Sequence, residues 1–365
     1  MKILYDHQMF SNQKYGGITK YFCELMKHLP CEYEYILSLL FSSNYYLKED
    51  QGIFKKKIIP MPEKNFKGKG FLKRKIYNLN KHYSKQLISS NEYDLFHPTF
   101  YDNYFFPDLR KPYVITVHDL NAFKFKDTYH KEDVYRPLME KVIKNANRII
   151  SISQNTKQDI IDTFNINPET IDVIYHGYNK PKLKGKLNIY GRYILFVGTR
   201  YGYKNFKTFL NGISGLLNSE RDVKLICVGT DFDKGEITEL NKLKILEQAI
   251  AIRVDEDSLN SLYANALLFV YPSLYEGFGM PILEAFANDC PVCLSDTSCF
   301  PEIAGNAGVY FDPNEPESIS AAINKVVDNS VFRNQMINAG KQRLSEFSWS
   351  KNAKQTILAY ERAIG

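Results

Sequence analysis

Short runs rich in β-branched and aromatic residues alternate with amphipathic stretches along most of the chain. Runs such as 113–117 and 193–197 are typical of strands buried inside a parallel sheet. The stretches between such runs place apolar residues three and four positions apart, which predicts helices. Residues 182–191 are polar and basic and separate two blocks of this kind. We therefore predict two parallel α/β domains, 1–180 and 181–347, with a ligand cleft between them.

A glycine-containing loop follows the apolar run 266–271. That run predicts a buried strand, and Pro281 can open a helix just beyond residues 276–280. A strand, loop and helix in this order direct backbone N–H groups and the positive end of the helix dipole at an anionic ligand. Glu276 and Glu284 frame the loop. Because carboxylates beside a phosphate site usually bind sugar hydroxyls, the pattern predicts a sugar nucleotide.

Two further turns between a strand and a helix contain glycine. Gly16 and Gly17 stand at the first, and the second, 198–205, contains Arg200 and Lys204. A cation at such a turn is well placed to neutralise a leaving diphosphate. We therefore expect the second turn to contact the phosphates.

The predicted strand 113–117 ends at His118 and Asp119. Open parallel sheets bind their ligands at the carboxyl ends of strands, so both residues are candidates for the site. A histidine at this position can alternatively cap the strand without binding a ligand.

The loop after residue 271 resembles the Glu-x7-Glu signature of the retaining family 4 glycosyltransferases. The resemblance rests on Pro272-Ser273, Glu276-Gly277-Phe278-Gly279-Met280-Pro281 and Glu284-Ala285. It extends over nearly the whole chain and is more specific in the second half. It implies the α/β fold called GT-B, in which two Rossmann-like domains face each other across a cleft and a C-terminal helix, about 348–365 here, returns to the first domain.

The resemblance also implies roles for individual residues. His118, Lys204 and Glu276 would be catalytic and lie beside the sugar and diphosphate of the donor, and Glu284 would bind its ribose. Many relatives carry an arginine directly after the first glycine of the turn 198–205, whereas this chain has Thr199 there. The other substrate-binding residues implied are Gly16, Gly17, Asp119, Thr199, Arg200, Gly277, Phe278, Gly279 and Met280.

The implied activity is that of a retaining glycosyltransferase of the hexosyltransferase type. It would move a sugar from a nucleotide-diphosphate sugar, GDP-mannose-like or a UDP-sugar, to a saccharide or lipid-linked acceptor. The expected setting is the synthesis of a surface polysaccharide such as an O-antigen or capsule, and neither a metal nor another cofactor is expected. Two alternatives stay open: a GT-B sugar-nucleotide epimerase, and a catalytically silent subunit that binds nucleotide sugars within a glycosyltransferase complex.

The formal net charge of +6 is concentrated in one segment. Between residues 51 and 85 there are eleven lysines and arginines against the single acid Glu63. A solvated loop and helix face would explain this charge. Contact of the basic residues 55–85 with anionic lipid headgroups or a lipid-diphosphate acceptor would explain it equally well. No nucleic-acid-binding module accompanies the charge, so we do not expect nucleic acid as a partner.

The six cysteines are few and scattered, which argues against a disulfide framework. Cys290, Cys293 and Cys299 could belong to a zinc site, but a fourth ligand is missing nearby, so we expect no metal. The chain starts with strand-like residues instead of a signal peptide, and it contains no run of about 18 apolar residues. We therefore expect a cytoplasmic protein, with peripheral contact at the inner face of the membrane as the alternative.

Overall fold

The computed structural model describes residues 1–49, 58–61, 67–126, 135–179 and 191–365. They form two compact units: Met1–Gly177 with Trp349–Gly365, and Tyr178–Ser348. The predicted linker 182–191, apart from Gly191, lies outside the described residues. So do parts of the basic segment, namely 51–57 and 62–66.

The first unit is built on parallel strands connected by helices. Its strands are β1 (Lys2–Tyr5), β2 (Glu34–Leu37), β3 (Phe41–Ser42), β4 (Ile59–Pro60), β5 (Leu95–His97), β6 (Val114–Val117), β7 (Arg148–Ser151) and β8 (Ile171–Val173). Its helices up to this point are α1 (Gln8–Asn12), α2 (Gly17–His28), α3 (Tyr45–Glu49), α4 (Lys69–Ser90), α5 (Asn121–Lys124), α6 (Tyr135–Lys144) and α7 (Gln154–Phe164). The sheets β2-β1-β5 and β6-β7-β8 meet at a bridge between Phe96 and Tyr113, and β3 pairs with β4.

The second unit contains one parallel sheet with the order β11-β10-β9-β12-β13-β14 among the described residues. Its strands are β9 (Arg192–Val197), β10 (Val223–Val228), β11 (Ala249–Ile252), β12 (Leu268–Tyr271), β13 (Val292–Ser295) and β14 (Gly308–Phe311). Its helices are α8 (Phe206–Ser219), α9 (Lys234–Lys242), α10 (Glu256–Asn265), α11 (Met280–Ala287), α12 (Phe300–Ala304), α13 (Pro316–Val327) and α14 (Ser330–Leu344).

The central strands are apolar along their length because neither face of the sheet is open to solvent. Every residue of β6, β12 and β13 is buried, which explains why these segments show continuous runs instead of alternation. Helices α8 and α13 approach closely at Gly212. A Cβ at that position would lie 2.8 Å from Ile319 and from the carbonyl oxygen of Pro316. Glycine is therefore the residue that allows this helix pair to pack.

The last helix, α15 (Trp349–Ile364), belongs to the first unit. Trp349 at its start is buried, and the Asn352 side-chain amide donates a 2.8 Å hydrogen bond to the carbonyl oxygen of Tyr175. Near its end, the Tyr360 hydroxyl lies 2.6 Å from Nδ1 of His97. These buried polar contacts fix the helix on the sheet of the first unit.

Candidate active site

The strand order of the second unit brings two distant loops together. β9 lies beside β12, although the two strands are far apart in the sequence. The turn 198–205 follows β9, and the loop 272–279 follows β12. The crevice outside the carboxyl ends of strands at such a reversal is where open parallel sheets bind ligands.

Lys204 and Glu276 form an ion pair between these loops. The Lys204 Nζ lies 2.5 Å from Oε1 of Glu276, and the two side chains are only 15% and 13% exposed. The same ammonium group lies 5.1 Å from the ring centroid of Tyr203 and 5.5 Å from that of Tyr271. A carboxylate and two aromatic faces thus hold the cation in one position.

Neighbouring residues fix Glu276 in turn. Burial, and then the Glu276 carboxylate, raise the pKa of Tyr271 well above its ordinary value, so the phenol stays protonated and donates a hydrogen bond to that carboxylate. Ser298 Oγ accepts the Glu276 backbone N–H at 3.1 Å and donates to the Glu276 carbonyl oxygen at 2.6 Å. The N–H of Leu274 donates to the carbonyl oxygen of Tyr203 at 2.8 Å, which joins the two loops through the backbone.

Gly279 is required by the turn into α11. Its φ of +86° lies in the left-handed region, and it caps the helix N-terminus. A Cβ there would also lie 3.0 Å from Ile282 Cδ1 and 3.3 Å from the ring of Phe300. The N–H of Met280, the first residue of α11, lies at a helix start, where an anion can bind. Pro281 has no N–H, and the N–H of Ile282 donates to the carbonyl oxygen of Gly279 at 2.9 Å. The other predicted residues of this loop are the buried Gly277 and Phe278 and the half-buried Met280.

Glu284 lies on α11 and interacts with two tyrosines. The Tyr263 hydroxyl donates to Glu284 Oε2 at 3.2 Å. Burial, followed by Glu284 and Glu256, raises the pKa of Tyr178. The Tyr263 phenol therefore orients the carboxylate, which presents acceptor oxygens of the kind that bind ribose hydroxyls.

Arg200 does not join Lys204 at the ion pair. Its Nε lies 2.7 Å from Glu236 Oε1, its side chain is only 3% exposed, and its Nη2 donates to the carbonyl oxygens of Thr230 and Asp231 at 2.8 and 3.0 Å. The guanidinium carbon also lies 4.9 Å from the ring centroid of Phe232. Arg200 therefore holds the turn after β10 against the start of α9, and it also lines the pocket at the ends of β9, β10 and β11. Its contact with substrate stays a prediction.

A pocket of about 630 Å³ lies at the carboxyl ends of β9, β10 and β11. Gly229 is needed beside it, because a Cβ there would lie 2.9 Å from the carbonyl oxygen of Gly198 and 3.2 Å from Arg200 Nη1. A cavity of this size can accommodate a nucleoside. Its lining includes Gly198, Thr199, Gly229, Thr230, Arg253 and Val254.

In the first unit, Gly16 and Gly17 stand at the start of α2. Gly16 is the N-cap residue with extended backbone, and Gly17 is the first helical residue and is exposed. A Cβ on Gly16 would lie 2.4 Å from the Gln13 side-chain oxygen, so a larger residue would displace that side chain. At Gly17, by contrast, no atom lies within 4 Å of where a Cβ would be, so the N-terminus of α2 is accessible there, as an anion-binding turn requires.

His118 follows β6 and stacks on a second histidine, His176. Their ring centroids lie 5.8 Å apart at an interplanar angle of 16°, and Tyr21 packs edge-on against both. Burial lowers the pKa of His118 to about 4, and burial, followed by His118, lowers the pKa of His176 well below its ordinary value. Both rings are neutral near pH 7, so His118 can offer a hydrogen bond but no charge. Asp119, the next residue, accepts the backbone N–H of Asn121 at 3.0 Å.

Sequence reasoning missed several residues around these positions. His176 follows a strand just as His118 does, so the same strand-end signal was present for it. Tyr271 ends the apolar run 266–271 and Tyr263 lies in α10, and their contacts with Glu276 and Glu284 are tertiary. Ser298 lies 22 residues from the carboxylate it holds and has no local signal.

Neither a metal cluster nor a spanning helix is found in the described part of the chain. No three or more His, Cys, Asp or Glu side chains come together there in a group that could hold a metal ion. Cys290, Cys293 and Cys299 are buried free thiols. No helix among the same residues is long and apolar enough to cross a membrane.

The chain is similar to known proteins along most of its length. Residues 15–180 match the model of the family described as Glycosyltransferase Family 4, and residues 179–343 match that of Glycosyl transferases group 1. The O-antigen chain mannosyltransferase B of Escherichia coli is 30% identical over 71% of this chain and 72% of its own length. The chain belongs to glycosyltransferase family 4.

Another family 4 relative is O-antigen chain mannosyltransferase RfbU of Salmonella typhimurium. It is 30% identical over 58% of this chain, and the match spans 60% of the length of RfbU. Both relatives are hexosyltransferases by name. The predicted family and the prediction of a glycosyltransferase are confirmed at this level.

Solved structures show that the family 4 chain has the predicted GT-B fold. Sucrose-phosphate synthase of Thermosynechococcus elongatus superimposes with a TM-score of 0.74 at 16% identity and covers 99% of this chain and 98% of its own. HepE of Anabaena, in complex with UDP and glucose, gives a TM-score of 0.74 at 17% identity, with 99% of each chain covered. At these identities the likeness establishes the fold alone.

Proposed function

We propose that this family 4 member is a retaining hexosyltransferase that transfers mannose from a nucleotide-diphosphate sugar without a metal ion. The observation that carries the proposal is the Lys204–Glu276 pair at the strand reversal of the second unit, with Glu284 on the adjoining helix. The sugar is chosen because both curated relatives are named mannosyltransferases.

Lys204 supplies the positive charge for the leaving group. As the glycosidic bond breaks, negative charge grows on the diphosphate, and a preorganised ammonium group stabilises it more in the transition state than in the ground state. Lys204 is held by Glu276 and two aromatic rings, so it reorganises little when the donor binds. Glu276 then binds hydroxyl groups of the transferred sugar.

Glu284 and the 630 Å³ pocket hold the nucleoside. The Glu284 carboxylate accepts hydrogen bonds from the ribose hydroxyls, and the pocket beside Gly229 receives the base. HepE, with the same fold, has been solved with UDP and with UDP-glucose, which is consistent with a nucleotide sugar as the donor.

Retention follows if the acceptor hydroxyl attacks from the face that the nucleotide leaves. The new bond forms at the anomeric carbon, the bond to the diphosphate oxygen breaks, and the hydroxyl proton passes to a phosphate oxygen. No protein nucleophile is then required. His118, neutral by burial, is proposed to donate a hydrogen bond to substrate.

The acceptor is proposed to be a saccharide or a lipid-linked saccharide of a surface polysaccharide, since the relatives are named for O-antigen chains. Helix α4 supports peripheral contact with an anionic membrane. Its start carries Lys69, Lys73 and Lys75, and the side chain of Phe71 is 56% exposed with the Lys75 ammonium 4.6 Å from its ring centroid. An exposed aromatic ring among cations suits a headgroup surface.

The test is incubation of the purified protein with GDP-mannose, UDP-glucose and other nucleotide sugars, with and without methyl α-D-mannopyranoside, in parallel reactions that contain either EDTA or added Mg²⁺. We expect slow donor hydrolysis alone, faster turnover with the glycoside, and a product whose anomeric configuration by NMR equals that of the donor. Inversion would overturn the retaining mechanism, and dependence on added metal would overturn metal independence. An altered nucleotide sugar would identify an epimerase, and the absence of any product would indicate a silent subunit.

A further inference from the structure

Exposed tyrosines cluster around Tyr15, the residue directly before the glycine pair of the first unit. Tyr15 is 55% exposed and Tyr45 is 41% exposed, whereas Tyr46 beneath them is buried. The Tyr15 ring centroid lies 5.1 Å from each of the other two, and those of Tyr45 and Tyr46 lie 5.5 Å apart. We call these three residues the tyrosine platform.

Hydrogen bonds hold the platform in place. The backbone N–H of Tyr45 donates to the carbonyl oxygen of Lys14 at 2.9 Å, and the Asn44 side-chain amide donates to that of Gln13 at 2.9 Å. Asn44 Oδ1 also accepts the N–H of Tyr46 at 3.2 Å. The start of α3 is thereby tied to the segment that carries Tyr15, and the rings do not depend on a ligand for their arrangement.

The chemistry of the platform fits a sugar ring. Aromatic faces carry partial negative charge, and the C–H groups on one face of a pyranose carry partial positive charge, so the two stack while the ring hydroxyls stay hydrated. Tyrosine adds a hydroxyl that can hydrogen bond to the sugar. Lys20 lies 6.0 Å from the Tyr46 centroid and makes the surroundings of the platform cationic.

We propose that Tyr15 and Tyr45 form a stacking subsite for a pyranose ring of the acceptor. This inference rests on the proposed function, which assigns the donor to Glu276, Glu284 and the pocket of the second unit. A glycosyltransferase needs a second saccharide-binding surface, and the platform is part of a different folding unit from those residues. Tyr15 directly precedes Gly16, so a stacked sugar adjoins the predicted anion-binding turn.

The first measurement is saturation-transfer NMR of the wild-type protein with the methyl pyranosides of mannose, glucose, galactose and N-acetylglucosamine. We expect transfer to the C–H protons of at least one ring, and its loss in Tyr15→Leu/Tyr45→Leu. Tyr15→Phe, which keeps the aromatic face, should retain most of it. Tyr135→Leu, at a tyrosine of the same unit that is 52% exposed, is the control and should match the wild type.

The second measurement is donor turnover with the best of these glycosides. The double variant should raise the acceptor KM about tenfold, the effect expected from one lost aromatic stack. Its hydrolysis of the donor without acceptor and its affinity for the nucleotide should be unchanged, which also shows that it is folded. No transfer to any glycoside in the wild type, an unchanged double variant, or an equal loss in Tyr135→Leu would each overturn the platform.

The two proposals fail in different ways. If the wild type neither binds nor hydrolyses any nucleotide sugar, the proposed function fails, while glycoside binding by NMR still decides the platform. If hydrolysis and nucleotide binding are normal and the tyrosines do not affect the acceptor KM, the platform fails and the proposed function stands.

Discussion

In both units a sheet reverses its strand order near the centre, with β1 beside β5 in the first and β9 beside β12 in the second. The residues around the two sites nevertheless differ in charge. In the second unit, Lys204 and Glu276 form an ion pair that retains some solvent exposure. In the first unit, His97 and His118 are buried and neutral.

This difference in charge suits the two sites to different chemical roles. A charged pair can respond to a leaving diphosphate, whereas neutral imidazoles and tyrosines contribute shape and hydrogen bonds. Neutral histidines at the strand ends of the first unit suit an uncharged sugar, and the ion pair of the second unit suits an anionic donor.

The largest effect that distinguishes the two units should appear on acidification. Burial lowers the pKa of His97 to about 3, of His118 to about 4 and of His7 to about 3, and it lowers the pKa of His176 well below its ordinary value. The unfolded chain takes up these protons below about pH 6.5, and the folded unit does not until pH 4 or lower. The free energy of unfolding should therefore decrease as the pH is lowered through this window, by about 1.4 kcal/mol per pH unit for each histidine.

The single tryptophan makes this measurable. Trp349 is buried in the first unit, so its fluorescence during urea unfolding at pH 7.5, 6.0 and 5.0 reports that unit alone. His118→Asn should make the pH dependence shallower, whereas His82→Asn, on the exposed side of α4, should not. A free energy of unfolding that is constant across this range would contradict the neutral histidines.

The second-largest effect concerns Lys204. We expect Lys204→Ala to lower kcat by about 10²- to 10³-fold, as removal of one preorganised stabilising group does. Lys207→Ala, exposed on the first turn of α8, is the matched control. Unchanged turnover in Lys204→Ala, measured with saturating donor, would remove this residue from the mechanism.

A smaller effect is expected at Glu284. Glu284→Gln should weaken nucleotide-sugar binding by about tenfold or more, since hydrogen bonds to a charged group contribute about 1.5–3 kcal/mol. Calorimetric titration gives the affinity, and kcat at saturation should change little. Glu317→Gln, on an exposed position of α13, controls for the loss of charge. Equal affinities in the two variants would refute the ribose contact.

The smallest effect is expected at Asp289, which has a φ of +58°, in the left-handed region that favours glycine. Asp289→Gly removes backbone strain but gives the unfolded chain more freedom, and it loses only a half-exposed ion pair with Lys341. The free energy of unfolding should change by less than about 1 kcal/mol. Asp289→Val should cost more, because a β-branched residue resists this φ. Thermal unfolding compares the two, and an equal cost would show that backbone strain is not the cause.

Local patterns were enough to predict the two α/β blocks and the strand-loop-helix segments that carry Glu276, Lys204 and His118. Each of these residues follows an apolar run. The run itself and the glycines of the loops at Glu276 and Lys204 are visible in the sequence. The direction of a side chain leaving such a loop is not visible there. Arg200 turns to Glu236 because Phe232 and the carbonyl groups after β10 receive it, and those contacts exist only after folding.

The return of α15 has a consequence for how the protein is made. Residues 1–177 leave the ribosome before the 171 residues of the second unit, yet their core lacks Trp349, Ile357 and Tyr360 until 349–365 follow. The second unit is continuous in sequence and can complete its core first. During synthesis residues 1–177 therefore expose part of their apolar core until residues 349–365 have been made. Chaperones or proteases can act on the amino-terminal half during this interval.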